Sequence, residues 1–377
     1  MEKGWLQKQL GIIIGVVACV CVFALLHYDS VLDTEKVDVD KRLYHVGVIL
    51  DSSIMDRGWN QAHYEGFLAA TQELGVQIHY KDYISDDQVE QAGEELIAEG
   101  CREIFGTSFG YTDGMKALAE KHPDIYFFHG SGVETMENMS TYFGRMYQAR
   151  YLSGVVAGLC TKTNHVGYVA AIPIVEVIRG INAFTLGVRS VNPEAVVHVR
   201  WSGSWDDSEK EKAVANKLLD EFPIDLITYH QNSDVISFEA AKRGIRSVGY
   251  HYDNVGEHNG SMVTAAVWNW KKLYIKLIKD CIDGRFHSRQ YYLGMDDQVV
   301  DIAPVFDGVL NEEQKQVVQS ARQRLAEGNW DVFYGPVYDQ SGTRRIRDGE
   351  TLSDKGLLHD MNWLVQGTEG KIGDGNE

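Results

Sequence analysis

The sequence predicts an α/β protein: two doubly wound parallel-sheet lobes joined by a hinge that the chain crosses several times, preceded by one N-terminal hydrophobic helix. Three observations carry that expectation. β-Branched runs alternate with helix-patterned runs at a period of about 30 residues, the length of a βαβ unit. Two such series run in tandem, one starting near Tyr44 and one near His165. The chain of 377 residues is also longer than a single core ordinarily serves.

At the N-terminus, Lys3 and Lys8 precede "LGIIIGVVACVCVFALL", Leu10 to Leu26. This uncharged run sits at the short end of the roughly 17 to 25 residues that a spanning helix needs. Lysines before it, and Asp29, Asp33 and Glu35 after it, predict an inside N-terminus and a globular part outside the membrane. Residues 1–26 are read as a signal or anchor segment. The small residues ahead of Cys19 leave three fates open: an uncleaved helix, a lipid on Cys19, or conventional cleavage. Residues 27–43, polar and acidic, form a tether.

The first series opens with the strand "LYHVGVIL" and a helix in which Tyr64, Phe67, Leu68, Thr71 and Leu74 share a face and Gly75 ends the run. The strand "VQIHYKDY" follows, then a helix that Ser85 and Gln88 can open as a capping box, then the strand "EIFGTS". The second series has strands "HVGYVAAI", "AVVHVRW", "IDLITYH" and "RSVGYHY", with helices from about Glu176, Ser208 and Asp234. Beyond it, "SMVTAAVWNW" reads as a strand running into a helix. Asn311 and Gln314 can cap a last helix whose Val318, Ala321 and Leu325 share a face. These elements are too few for a third domain and are expected to return to the two lobes. The boundaries drawn are 44–145 plus 258–288 for lobe I, and 146–257 plus 289–374 for lobe II. Repeated crossings make a hinged cleft.

Composition narrows the function. A net charge of −18 disfavours nucleic acid as a partner, because phosphate repels an acidic surface. Five cysteines, Cys19, Cys21, Cys101, Cys160 and Cys281, show neither a disulfide framework nor metal-ligand spacing. There is no GxxxxGK, no GxSxG and no tight constellation of nucleophile and base, so neither an enzyme nor a cofactor or metal site is expected.

Ligands of open parallel sheets sit outside the carboxyl ends of the strands. The residues at those positions are Asp51, Asp56, Trp59 and Asn60 after the first strand, and Ser108 and Phe109 after the third. In the second series they are Trp205, then His230 and Asn232, then His251 and Asp253, with Trp268 ending the returning strand. Packing alone predicts no such concentration of aromatic and polar side chains at strand ends. Trp59 and Trp205, from opposite lobes, are expected to clamp a flat ring, each stacking contact being worth roughly 1 to 3 kcal/mol. Amide, carboxylate and imidazole edges would read its polar atoms.

From Tyr44 to Asp374 the chain resembles the basic membrane protein family, the purine-binding substrate-binding proteins of ABC transporters. The resemblance rests on "DRGWNQAHYEG", "YFGRMYQARYLSGVVAG", "IPIVEVIRGINAFTLGVRSVNP", "GSWDD", "GYHYD", "TAAVWNW" and "FYGPVYDQSG". It implies the type I periplasmic-binding-protein fold, a small purine ligand, an ABC permease as partner, and a place on the extracytoplasmic face of the cell membrane. It also implies that Trp59 and Asn60 stand where nucleoside-binding members carry a Phe-Asn pair. An Asp that holds ribose hydroxyls in the family is here His251, and a ribose-side Lys is here Trp268. These departures favour a free base such as adenine. The alternatives are a nucleoside ligand, or a membrane sensor partner in place of the permease.

Overall fold

The computed structural model describes residues 44–373. Residues 1–43, with the apolar run Leu10–Leu26, Cys19 and the tether, lie outside the described residues. No helix among the described residues is long and apolar enough to cross a membrane.

The first series forms strands β1 His45–Ile49, β2 Gln77–Lys81, β3 Glu103–Gly106, β4 Tyr126–Gly130 and β5 Met139–Gly144. Helices α1 Trp59–Leu74, α2 Val89–Ala98 and α3 Thr112–Lys121 connect the first four. The second series forms β6 His165–Ala170, β7 Val196–Trp201, β8 Leu226–His230, β9 Arg246–His251 and β10 Met262–Trp268. Its helices are α4 Met146–Cys160, α5 Val175–Val191, α6 Ser208–Glu221 and α7 Val235–Lys242, followed by α8 Trp270–Ile282 on the first lobe and α9 Glu312–Ala326. Two later strands, β11 Gln290–Leu293 and β12 Val300–Ile302, complete the main sheets. The first sheet has the order β11-β5-β4-β3-β1-β2, and every pairing in it is parallel. The second runs β12-β10-β9-β8-β6-β7, extended by Thr368–Glu369 beside β7. It is parallel except at the β12 edge.

Local signals act where they were read. Ser85 and Gln88 make the expected capping box, as do Asn311 and Gln314, whose reciprocal bonds are 3.0 and 2.9 Å. Gly75 ends α1 at φ +69, a left-handed conformation that a glycine adopts without a side-chain penalty.

The buried face of α1 differs from the expectation. It runs Trp59, Asn60, His63, Gly66, Phe67 and Ala70, while Leu68 is exposed and Tyr64 meets Tyr80 on the flank. The cause is α8, which packs on this helix. A Cβ on Gly66 would lie 2.7 Å from Trp270, and Phe67 stacks on Tyr274 at 3.8 Å.

The lobe boundaries also need correction. The expected return to lobe I at 258 and to lobe II at 289 both fall too early. β10 pairs with β9 in the second sheet, so the chain recrosses only at Asn269; β11 pairs with β5 in the first sheet, so the last return follows Leu293. Apolar alternation marks a strand but not the sheet edge that receives it. The three crossings, at Arg145, at Asn269 and after Leu293, lie at strand ends and together form the hinge.

Candidate functional site

The loop between β1 and α1 is organised by Asp56. Its Oδ1 accepts the amides of Gly58 and Gln61 at 2.8 and 3.0 Å, and its Oδ2 accepts the Asn60 amide and Asn60 Nδ2, both at 2.9 Å. The carboxylate thereby satisfies the free N–H groups of the helix start. Both oxygens are spent, so this residue, expected among the ligand contacts, instead aims Trp59 and Asn60. The Asn60 Oδ1 is left buried without a partner, as is Asp51 Oδ1. Burial raises the Asp51 carboxyl above its ordinary pKa, against the opposing pull of the Asn60 and Ser108 side chains. Asp51 and Asn60 thus leave unpaired oxygens at the carboxyl end of the first sheet, near Ser108.

Trp59 stands beside this group inside an aromatic cluster. His63 meets it edge-on at 4.2 Å, Trp268 at 5.3 Å and His251 at 5.6 Å, while Phe143 lies tilted at 6.2 Å. Trp268 donates its indole N–H to His251 Nδ1 at 2.8 Å, with the two rings inclined by only 17°. His251 ends β9 at φ +71, a costly conformation for a residue with a side chain. Gly144 makes room for the tryptophan, since a Cβ there would lie 2.4 Å from the Trp268 ring.

In the second lobe, His230 is buried with both ring nitrogens occupied. Nε2 pairs with the Tyr250 hydroxyl at 2.9 Å, and Nδ1 lies 3.3 Å from that of Tyr168. Burial, reinforced by the Arg150 and Arg179 charges, holds its pKa well below the ordinary imidazole value. Its ring leads from His251, 6.4 Å away, to Trp205, 5.9 Å away. Trp205 is half-buried, and its carbonyl accepts the Asn232 amide at 2.9 Å. Asp253, expected among the ligand contacts, is exposed and turns its carboxylate back to the Val255 amide. It stands apart because the chain bends away immediately after His251.

The lobes meet across the cleft. Arg57, in the first-lobe loop, bridges Asp234 and Glu257 of the second lobe, and the Tyr252 hydroxyl donates to Glu65 at 2.8 Å. A cavity of about 260 Å³ lies between them, lined by Phe109 and Phe143 on one side, Glu176 and Arg179 on the other, and Tyr292 from β11. Of the strand-end residues named from the sequence, only Phe109 lines this cavity; Trp59, Asn60, His251 and Trp268 are buried in the aromatic cluster and are not among its lining residues. Phe109, 61 % exposed, forms its lip.

Sequence reasoning missed His63, Phe143, Glu176 and Trp270. Only His63 carried a readable signal: it lies four residues after Trp59 and so shares its helix face. Phe143 and Glu176 reach the cavity, and Trp270 the buried cluster behind Trp59, through the folding of separate segments.

Two parallel sheets whose strand ends face each other over a hinged cleft, with converging aromatic and unpartnered polar groups, define a solute-binding protein. Residues 43–328 match the family described as ABC transporter substrate-binding protein, PnrA-like, and the chain belongs to that family. Members are binding proteins rather than enzymes, working outside the cytoplasm with a small-molecule ligand and a permease. A purine-binding protein of Brucella abortus (strain 2308) is 33 % identical over 330 residues, covering 87 % of this chain and 93 % of its own. A Haloferax volcanii ABC transporter protein named for glucose binding is 34 % identical over 326 residues, covering 85 % and 79 %. Among solved structures, an ABC transporter solute-binding protein from Conexibacter woesei superposes with a TM-score of 0.66 at 19 % identity, covering 76 % of this chain and 98 % of that one.

Proposed function

We propose that the protein captures a free purine base, adenine-like, in the interlobe cleft and delivers it to an ABC permease. The observation that carries this reading is the Trp268–His251 pair. At the two positions where the family resemblance expects a Lys and an Asp for ribose hydroxyls, these side chains bond to each other and pack against Trp59. A sugar would find an aromatic wall there, and a buried hydroxyl without a partner costs roughly 1 to 3 kcal/mol. The Brucella relative's name supports a purine, while the Haloferax relative's name makes glucose the competing ligand to test.

Calorimetric titration of adenine against adenosine, guanine against guanosine, and glucose alone tests the reading. The bases should bind about 5- to 150-fold more tightly than their nucleosides. Tighter nucleosides, or heat from glucose only, would overturn it. The globular part is held at the outer face of the membrane by Leu10–Leu26 or by a lipid on Cys19. Intact mass of membrane-extracted protein separates the two, since lipidation follows removal of residues 1–18.

A further inference from the structure

We propose that Trp268 is a positioning residue that fixes His251 as its Nε2–H tautomer, and that this N–H selects ligands presenting a bare ring nitrogen in the cleft. The inference rests on the purine reading and specifies how one end of that base is recognised.

The argument begins with the indole, which can only donate. Its Nε1 lies 2.8 Å from His251 Nδ1 with the ring planes nearly parallel, so Nδ1 must offer a lone pair. The ring is 4 % exposed. Burial, followed by the nearby His230, Arg150 and His63, holds its pKa well below the ordinary imidazole value, so it is neutral at physiological pH. A neutral imidazole with a bare Nδ1 carries its one proton on Nε2. That Nε2 is buried and has no partner. An unused buried donor is costly unless a ligand supplies the acceptor. The pair is held at some expense: His251 sits at φ +71, and Gly144 admits Trp268 where any Cβ would clash.

In the loop after β1, two unpartnered atoms have the opposite polarity. Asn60 Oδ1 can only accept, because Asn60 Nδ2 is committed to Asp56, and Asp51 Oδ1 accepts whenever its carboxyl is ionised. Acceptors in the first lobe thus stand opposite a donor at His251, which is unpartnered together with Trp270 Nε1 and His63 Nε2 of the same aromatic cluster. A heterocycle with an exocyclic amine or ring N–H at one edge and a bare ring nitrogen at another satisfies both. The donor discriminates because replacing the bare nitrogen by C–H leaves Nε2–H unpaired.

The test uses the full-length protein and the free bases. Adenine is titrated beside its 1-deaza, 3-deaza and 7-deaza analogues, each of which replaces one bare nitrogen by C–H. One analogue should bind at least tenfold more weakly than adenine, and in Trp268→Phe that penalty should shrink to threefold or less, because the tautomer is no longer held. Independently of any variant's folding, ¹⁵N-histidine spectra of the ligand-free wild type should show a protonated Nε2 and a bare Nδ1 for His251, the signal being assigned by its loss in His251→Asn. A protonated Nδ1, or adenine binding with all three analogues within threefold of it, would overturn the inference and leave the purine reading standing. Absence of binding by any purine would overturn that reading and with it the ligand assigned to the donor, while the spectrum would still decide the tautomer.

Discussion

The Arg57 guanidinium of the first lobe lies 3.1 Å from the Asp234 carboxylate of the second, and 2.6 Å from Glu257 beside it. Asp234 is also approached by Asn254 Nδ2 at 2.7 Å and His258 Nε2 at 3.2 Å. Burial works against its ionisation, but His258 and Arg57 outweigh it and its pKa falls below the ordinary carboxylate value. The bridge spans the cleft and can exist only while the lobes are closed, so it contributes to binding by stabilising the closed state. Arg57→Ala should weaken ligand binding about fivefold, the modest figure of about 1 kcal/mol expected for a half-exposed guanidinium. Stopped-flow measurement should place the change in faster dissociation. An unchanged dissociation rate would show that the bridge does not hold the cleft shut.

Gly58 tests closure by shape rather than charge. A Cβ there would sit 2.1 Å from the Asn232 carbonyl oxygen in the opposite lobe. Gly58→Ala should therefore reduce affinity tenfold or more. The ligand-free protein can part its lobes, so its unfolding temperature should move by no more than roughly 2 to 4 °C. Equal binding by the variant would mean that ligand capture does not require this approach.

The two cleft tryptophans should separate binding from stability. Trp205→Ala should cost about 1 to 3 kcal/mol of binding with little change in unfolding temperature, because the side chain is half-buried and has few ring neighbours. Trp59→Ala should lose a similar amount of binding and also lower stability, since the ring is 8 % exposed and supports His63, Trp268 and Trp270. Trp59→Phe should recover much of both. Calorimetry with unchanged affinity in both alanine variants would remove the aromatic clamp from the mechanism.

Far from the cleft, Glu103 at the start of β3 makes stability depend on pH. Burial pushes its carboxyl up to about 8 from an ordinary 4.5, with the Tyr44 hydroxyl donating to it at 2.6 Å. The folded chain then keeps a proton that the unfolded chain releases. The group's contribution is fully present below about pH 4.5 and is lost as pH rises through about 8. Glu103→Gln removes the titration and retains an acceptor for Tyr44. Thermal unfolding should show the variant more stable than the wild type at pH 8 to 9, with the gap closing toward pH 5. A gap independent of pH would show that Glu103 is not the titrating group.

Much of the architecture was legible because its determinants are local. Capping at Ser85–Gln88 and Asn311–Gln314 and the stop at Gly75 each depend on a few adjacent residues. The 30-residue alternation depends only on the periods of strand and helix. The strand-end residues were also legible as a set, since the end of a strand can be read from where its pattern stops.

What each of them does was not legible. Asp56 and Asp253 have the same chemistry and comparable positions, yet one caps the helix that carries Trp59 and the other faces solvent. His230 and His251 both end strands, yet one has both ring nitrogens occupied and the other keeps one free.

By itself, then, the sequence determined the fold class, the tandem lobes and the belt of aromatic and polar residues at their strand ends, because these follow from periodicities and caps within one or two turns of chain. Only the tertiary structure decided which sheet receives β10 and β11, which face of α1 is buried, and which polar atoms remain unpaired. Most of those outcomes depend on contacts between segments more than a hundred residues apart, such as β11 with β5, Gly144 with Trp268 and Arg57 with Asp234, and no local pattern encodes the geometry with which such segments meet.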